Sequence, residues 1–294
     1  MASLNHLLAA TDFSAPARHA AERAALVAHS TGAQLDLIHV VTLAPMVKLR
    51  QLIGDLPPEI EQRLLDASRD ELQQLVALLH SHHGITANGQ VVCGSLLDEI
   101  TRHAGSLAAE LLVFGSHGSS FMRHLLLGST AERLLTRSTL PMLVVKQAAH
   151  EAYKTLLVPV DFSPSSRRAL ALAQAIAPRA EIILLHVAAL PFEGKLRYAG
   201  IDDDIIARYQ AAAMVEARRS LAALQARAAP GVSGIRLEVR QGDPSQSILQ
   251  YEQEFDCDLI VIGKHGESLA EDLLLGSVAR HVLEESQSDL LISL

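Results

Sequence analysis

Two glycine-rich loops carry the clearest chemistry in this sequence. Gly115-x2-Gly118-x9-Gly128-Ser129 and Gly263-x2-Gly266-x9-Gly276-Ser277 share one spacing, and each follows an apolar run and leads into a helix pattern. Glycines let backbone N–H groups approach an anion with no Cβ in the way. The first N–H groups of a helix have no intrahelical partner, which suits phosphate. Ser129 and Ser277 add hydroxyl donors at the two helix starts. The chemistry indicated is phosphate binding; the alternative is that the glycines only turn the chain while the serine caps the helix. Neither loop contains G-x-x-x-x-G-K-[ST] or G-x-G-x-x-G, so P-loop and dinucleotide readings lose support.

Other candidates are weaker. His39 and His186 end apolar runs and could exchange protons, but a hydrogen-bonded structural histidine is the favoured role. His80, His82 and His83 cluster before Gly84, yet no neighbouring acid or cysteine completes a metal site, and helix C-termini favour histidine for dipole reasons. Cys93 and Cys257 lie at unmatched positions and are expected to be packing residues. Arg167-Arg168 and Arg218-Arg219 read as solvated helix faces.

The elements that must position the loops occur twice. Thr11-Asp12-Phe13-Ser14 returns as Val160-Asp161-Phe162-Ser163, Ile38-His39-Val40 as Leu185-His186-Val187, and Leu125-Leu126-Leu127-Gly128-Ser129 as Leu273-Leu274-Leu275-Gly276-Ser277. The offsets are 149, 147 and 148, with 148 again between Gly115 and Gly263, so whole domains are duplicated. The expected domains are 1–147 and 153–294, joined by a short polar link.

In the first half, strands are expected at Leu4–Ala10, Leu35–Val40, up to Val92, Leu111–Phe114 and Met142–Val145. Helices are expected from Ser14 to about Thr31, from Pro57-Pro58 to Gly84, from Ser95, and from about Gly128. The second half repeats the pattern, with strands Leu156–Val160, Ile182–Val187, Ile235–Val239, Leu259–Ile262 and Leu290–Ser293. Its helices start at Ser163, about Asp202, Ser245 and the end of the second loop. Apolar strands separated by helices mean a parallel sheet covered on both faces, a doubly wound α/β domain in each half. Ligands of such sheets bind beyond the carboxyl ends of the strands, where strand order reverses. Asp12, His39, Gly115, Asp161, His186 and Gly263 stand there.

Composition narrows the function. The 294 residues are 49% hydrophobic and 20% charged, a globular balance. A net charge of −8 opposes nucleic-acid binding, and 3% aromatic residues with no Trp oppose base stacking. Two cysteines cannot build a disulfide framework, the N-terminus lacks a basic signal region, and no run reaches a membrane span. A cytoplasmic protein is expected, with no membrane and no nucleic-acid partner.

G-x2-G-x9-G-[ST], Asp-Phe-Ser at the first strand's end, Leu-x-His-Val in the second and the closing Pro-Met-Leu-Val-Val resemble the universal stress protein family, in its tandem form. The resemblance covers nearly the whole chain. It implies a Rossmann-like, adenine-nucleotide-hydrolase-like domain in each half, a five-stranded parallel sheet of order 3-2-1-4-5. It also implies pairing of the domains through Met142–Val145 and Leu290–Ser293, and ATP, with or without Mg²⁺, as ligand. By that resemblance Asp12 and Asp161, flanked by Thr11 and Val160, face adenine and ribose. Val40 and Val187 form the adenine wall; Gly115, Gly118, Gly128 and Ser129, with Gly263, Gly266, Gly276 and Ser277, cradle ribose and phosphate. Two departures stand out: Ala131 and Ala279 replace a frequent hydroxyl, and Asp289 stands where the first half has Pro141.

Asp12 and Asp161 could instead be general bases or metal ligands, but no nucleophile or second acid lies in motif spacing. No catalytic constellation is therefore expected. A nucleotide-dependent stress-response binding module leads, followed by a slow Mg²⁺-dependent ATP hydrolase and a scaffold with relic loops. Intrachain pairing allows a monomer, and a homodimer stays open. The loops differ in charge: residues 116–127 hold only Arg123 with His117 and His124, whereas 264–275 hold Lys264, Glu267, Glu271 and Asp272, a net of −2. Phosphates near uncompensated carboxylates cost on the order of 1 kcal/mol per close pair, so the first half is expected to bind nucleotide better. Acids holding Mg²⁺ between the phosphates reverse that order.

Overall fold

The computed structural model describes residues 4–42, 59–116, 133–135, 138–188, 198–199, 201–229, 234–264 and 275–294. The chain divides into two compact units, Ser3–Ala152 and Tyr153–Leu294.

In the first unit the elements are β1 (His6–Ala10), α1 (Ala15–Thr31), β2 (Gln34–Val41), α2 (Glu59–His83), β3 (Ala87–Cys93), α3 (Leu96–Ser106), β4 (Leu111–Gly115) and β5 (Met142–Val145). The strands are parallel in the order β3-β2-β1-β4-β5. The chain thus leaves β1 toward β2 and later returns on its other side at β4, and the reversal lies between them. Ala10 faces Ile38 and Ala9 faces Val113, which sets Thr11 and Asp12 just past that reversal.

Side chains explain the packing. Leu7, Leu8, Leu37, Leu111 and Val113 are sealed in the sheet, at 2% exposure or less. Against them α1 buries alanines: Ala17, Ala20, Ala21, Ala24, Ala25 and Ala28. Such small side chains let the helix lie close to the sheet. Its ends follow the sequence, since Ser14 accepts from the Ala17 N–H and Gly32 stops it at φ 76°, with its N–H bonded to the Ala28 carbonyl at 2.8 Å.

The second unit repeats this with β6 (Thr155–Pro159), α4 (Pro164–Ile176), β7 (Glu181–Ala188), α5 (Asp203–Ala228), β8 (Ile235–Gln241), α6 (Pro244–Glu254), β9 (Leu259–Gly263), α7 (Ser277–Glu285) and β10 (Asp289–Ser293). The order is β8-β7-β6-β9-β10, again parallel. Both units therefore show the expected 3-2-1-4-5 arrangement, with strand ends within about two residues of expectation. No helix among the described residues is long and apolar enough to cross a membrane.

Two local expectations are corrected. α6 is capped by Asp243, whose carboxylate accepts from the Gln246 N–H at 2.9 Å, not opened by Ser245. An acid at the cap also meets the positive end of the helix dipole, and Pro244 sits where its missing N–H costs nothing. Cys93 ends β3 exposed rather than packed, while Cys257 is buried. Asp289, the departure from Pro141, is fully buried and accepts from the Tyr153 hydroxyl at 2.7 Å.

Candidate functional site

Both strand-end motifs build one local structure. In the second domain Val160 N–H bonds to the Leu185 carbonyl at 2.8 Å, which ties the exit of β6 to β7. His186 Nδ1 lies 2.8 Å from the Val160 carbonyl. A carbonyl oxygen can only accept, so Nδ1 carries the proton. Phe162 has φ 65°, a left-handed conformation costing about 1–2 kcal/mol outside glycine. Its ring lies against His186, 4.4 Å between centroids. The first domain does the same: Thr11 N–H to Ile38, His39 Nδ1 to the Thr11 carbonyl at 2.8 Å, and Phe13 at φ 64° stacked on His39. Both histidines thus hold the turn, the structural role favoured from the sequence.

The aspartates are anchored by neighbours. Asp12 accepts from the Ser14 N–H at 3.1 Å and the Ser14 hydroxyl at 2.5 Å. Asp161 accepts from the Ser163 N–H at 3.1 Å and the Ser166 hydroxyl at 2.5 Å. Burial opposes ionisation of Asp161, but the hydrogen bonds from Ser163 and Ser166 outweigh it and hold its carboxyl below the usual aspartate range. Position 17, which matches Ser166, is Ala17, so this hydroxyl belongs to the second domain alone. Comparing the two repeats residue by residue could have found it.

At the ends of β6, β7 and β9 a cavity of about 230 Å³ opens. It brings together Val160, Asp161, Val187, Gly263, Gly276 and Ser277, all singled out from the sequence. Ser166 and Lys264 also line it; Ser166 belongs to no motif, and Lys264 enters the sequence analysis only as a loop charge. α7 starts on this wall. Its cap Gly276 makes no side-chain bond, and the first intrahelical bond runs from Arg280 N–H to the Gly276 carbonyl at 2.9 Å. Ser277, Val278 and Ala279, which line the cavity, therefore carry the N–H groups that a helix leaves for an anion. Ala279 supplies no hydroxyl there.

In the first domain Thr11, Asp12, Val40 and Gly115 stand at the matching strand ends, whereas Gly118, Gly128 and Ser129 lie outside the described residues, as does Gly266. Gly115 has a packing reason of its own. A Cβ there would come within 2.7 Å of the Pro16 carbonyl oxygen and 2.8 Å of its carbon, both backbone of α1. Arg123, Glu267, Glu271 and Asp272 also lie outside the described residues. Lys264, by contrast, is described, and it is buried at 4% exposure.

A second, larger cavity of about 720 Å³ runs between α2 and β3, lined by Leu72, Val76, His80, Gly89 and Val91 among others. It gathers no motif residue. No three His, Cys, Asp or Glu side chains are placed to hold a metal ion among the described residues. The candidate site is the cavity at the strand ends.

Comparison with known proteins identifies the family. The universal stress protein family profile matches residues 4–146 and again 152–293. A universal stress protein of Mycolicibacterium smegmatis is 27% identical over 296 residues, covering 97% of this chain and 96% of that protein. Universal stress protein MJ0531 of Methanocaldococcus jannaschii is 30% identical over 141 residues, 48% of this chain and 81% of its own. Among solved structures, a universal stress protein from Archaeoglobus fulgidus aligns over 98% of both chains with a TM-score of 0.68 at 19% identity, a likeness of fold.

Proposed function

The chain belongs to the universal stress protein family, and on that premise we propose a stress-response module whose domains bind an adenine nucleotide, with ATP as ligand. One observation supports this above the others: a single cavity collects Val160, Asp161, Val187, Gly263, Gly276 and Ser277. In this reading Asp161 accepts hydrogen bonds from the ribose or base, and Val160 and Val187 cover the adenine. The first turn of α7 at Ser277, with Gly263 and Gly276, takes the phosphates. Thr11, Asp12, Val40, Gly115, Gly118, Gly128 and Ser129 do the same in the first domain, and Gly266 completes the second. The cavity is smaller than the roughly 300–1,000 Å³ of pockets enclosing drug-sized ligands. It holds the base, the ribose and the phosphate that meets the first turn of α7, and any further phosphates extend out of it. Mg²⁺ enters only as the ion that accompanies ATP, and no side chain is assigned to it.

The output is conformational or partner-directed rather than turnover. As a general base Asp161 is weakened, since its serine hydrogen bonds hold its carboxyl below the usual aspartate range. A cytoplasmic setting is part of the same reading, supported by a composition with only two cysteines. The test is mass spectrometry of small molecules released from gently purified protein, followed by titration with ATP. One or two adenine nucleotides per chain are expected, with weaker retention after Asp161→Ala. Protein that neither carries nor binds any adenine nucleotide overturns the reading and leaves the scaffold.

A further inference from the structure

Residues 116 and 264 occupy the same place in the two domains and differ in kind. Each follows the last residue of a central strand. Each has its backbone N–H tied to the domain's final strand, Ser116 to the Val145 carbonyl at 2.9 Å and Lys264 to the Ser293 carbonyl at 2.7 Å. Each is 4% exposed. In the second domain this position lines the cavity, and the Lys264 carbonyl accepts the Gly276 N–H at 2.9 Å, which sets it beside the first turn of α7. Lys264 is the one lysine or arginine among the described residues of that wall. Asp161 follows β6 and Lys264 follows the neighbouring β9. An acceptor for ligand hydroxyls and a cation thus stand at the ends of adjacent strands.

Charge inside a domain acts over a longer reach than charge on a wet surface, because the surroundings screen it less. A phosphate brought to this wall in the second domain meets both the α7 N-terminus and a lysine position, whereas the first domain has a serine at the matching position. We propose that Lys264 sets the charge preference of the second domain, making it favour the more highly phosphorylated members of an adenosine series, whereas the first domain, with Ser116, discriminates less. This deepens the nucleotide reading and rests on it.

The test photolabels the full chain with 8-azido-ATP, competes with ATP, ADP, AMP or adenosine, and maps labelled peptides to each domain. ATP is expected to protect residues 153–294 far better than adenosine does. Lys264→Ser should cut that ATP-over-adenosine preference about tenfold or more, the scale of one lost charge-assisted contact. Adenosine itself should change by less than about threefold. Lys264→Arg should keep the preference, and Ser116→Lys should raise it in residues 3–152. Intact labelling with an unchanged ratio in Lys264→Ser overturns the role of Lys264 and leaves nucleotide binding standing. Wild-type chain with no competable label overturns both. Should Lys264→Ser fail to fold, Ser116→Lys decides, and no gain there overturns the proposal.

Discussion

Phe13 and His39 stack with 4.3 Å between ring centroids while the Phe13 backbone is held at φ 64°. The aromatic contact and the turn closed by Asp12 and Ser14 stabilise a conformation that a β-carbon disfavours. Phe13→Ala keeps the backbone cost and loses the stack; Phe13→Gly loses the stack but not the conformational fit. Both should destabilise the first domain, with glycine better than alanine by about 1 kcal/mol. Urea unfolding measures this, and alanine outperforming glycine contradicts it.

Asp161 has a pH consequence with a defined sign. Its folded pKa lies below the unfolded value, so the folded state holds fewer protons than the unfolded chain near that range. The stabilisation is complete above the ordinary aspartate pKa and disappears as pH falls through the depressed one. Asp161→Asn should flatten the acid side of the stability curve of the full chain while leaving an offset at neutral pH. Parallel wild-type and variant curves in acid would show the hydrogen bonds to be pH-silent.

Gly115→Ala should destabilise even the ligand-free first domain. The added methyl meets Pro16 backbone atoms at 2.7 and 2.8 Å, so strand or helix must shift. Overpacking of this kind costs about 1–3 kcal/mol. Thermal melts without nucleotide read the effect; a loss seen only in ligand binding, with melting unchanged, would assign the glycine to the ligand instead.

The thiols should separate cleanly. Cys93 is exposed, while burial and nearby acids, Glu252 and Asp258 among them, push the Cys257 thiol up to about 12. A disulfide-exchange reagent at mildly alkaline pH should count one thiol in native protein and two in denaturant. Two fast thiols in the native chain would refute the burial.

Much of the architecture was legible because punctuation and periodicity agreed. Ser14 with Pro16, Ser163 with Pro164 and Gly32 mark helix ends through backbone chemistry that the structure shows. The α6 start is ambiguous in the sequence, because Asp243 before Pro244 and Ser245 after it are both capping residue types, and only Asp243 accepts the Gln246 N–H. The left-handed Phe13 and Phe162 were not legible: no local preference of phenylalanine signals φ near 65°, which exists only once the histidine of the next strand arrives. The candidate site was half legible. Strand-end residues are set by topology, so Val160, Asp161 and Gly263 fell into place, whereas the burial of Lys264 and the bond from Ser166 to Asp161 depend on tertiary packing.

The backbone of α1 penalises a side chain at position 115 whether or not any ligand is present. A descendant that had abandoned its ligand would still retain this glycine, for selection on folding alone would preserve it. A glycine at this position therefore reports on packing, and an inherited activity has to be traced at positions the scaffold leaves at liberty to vary.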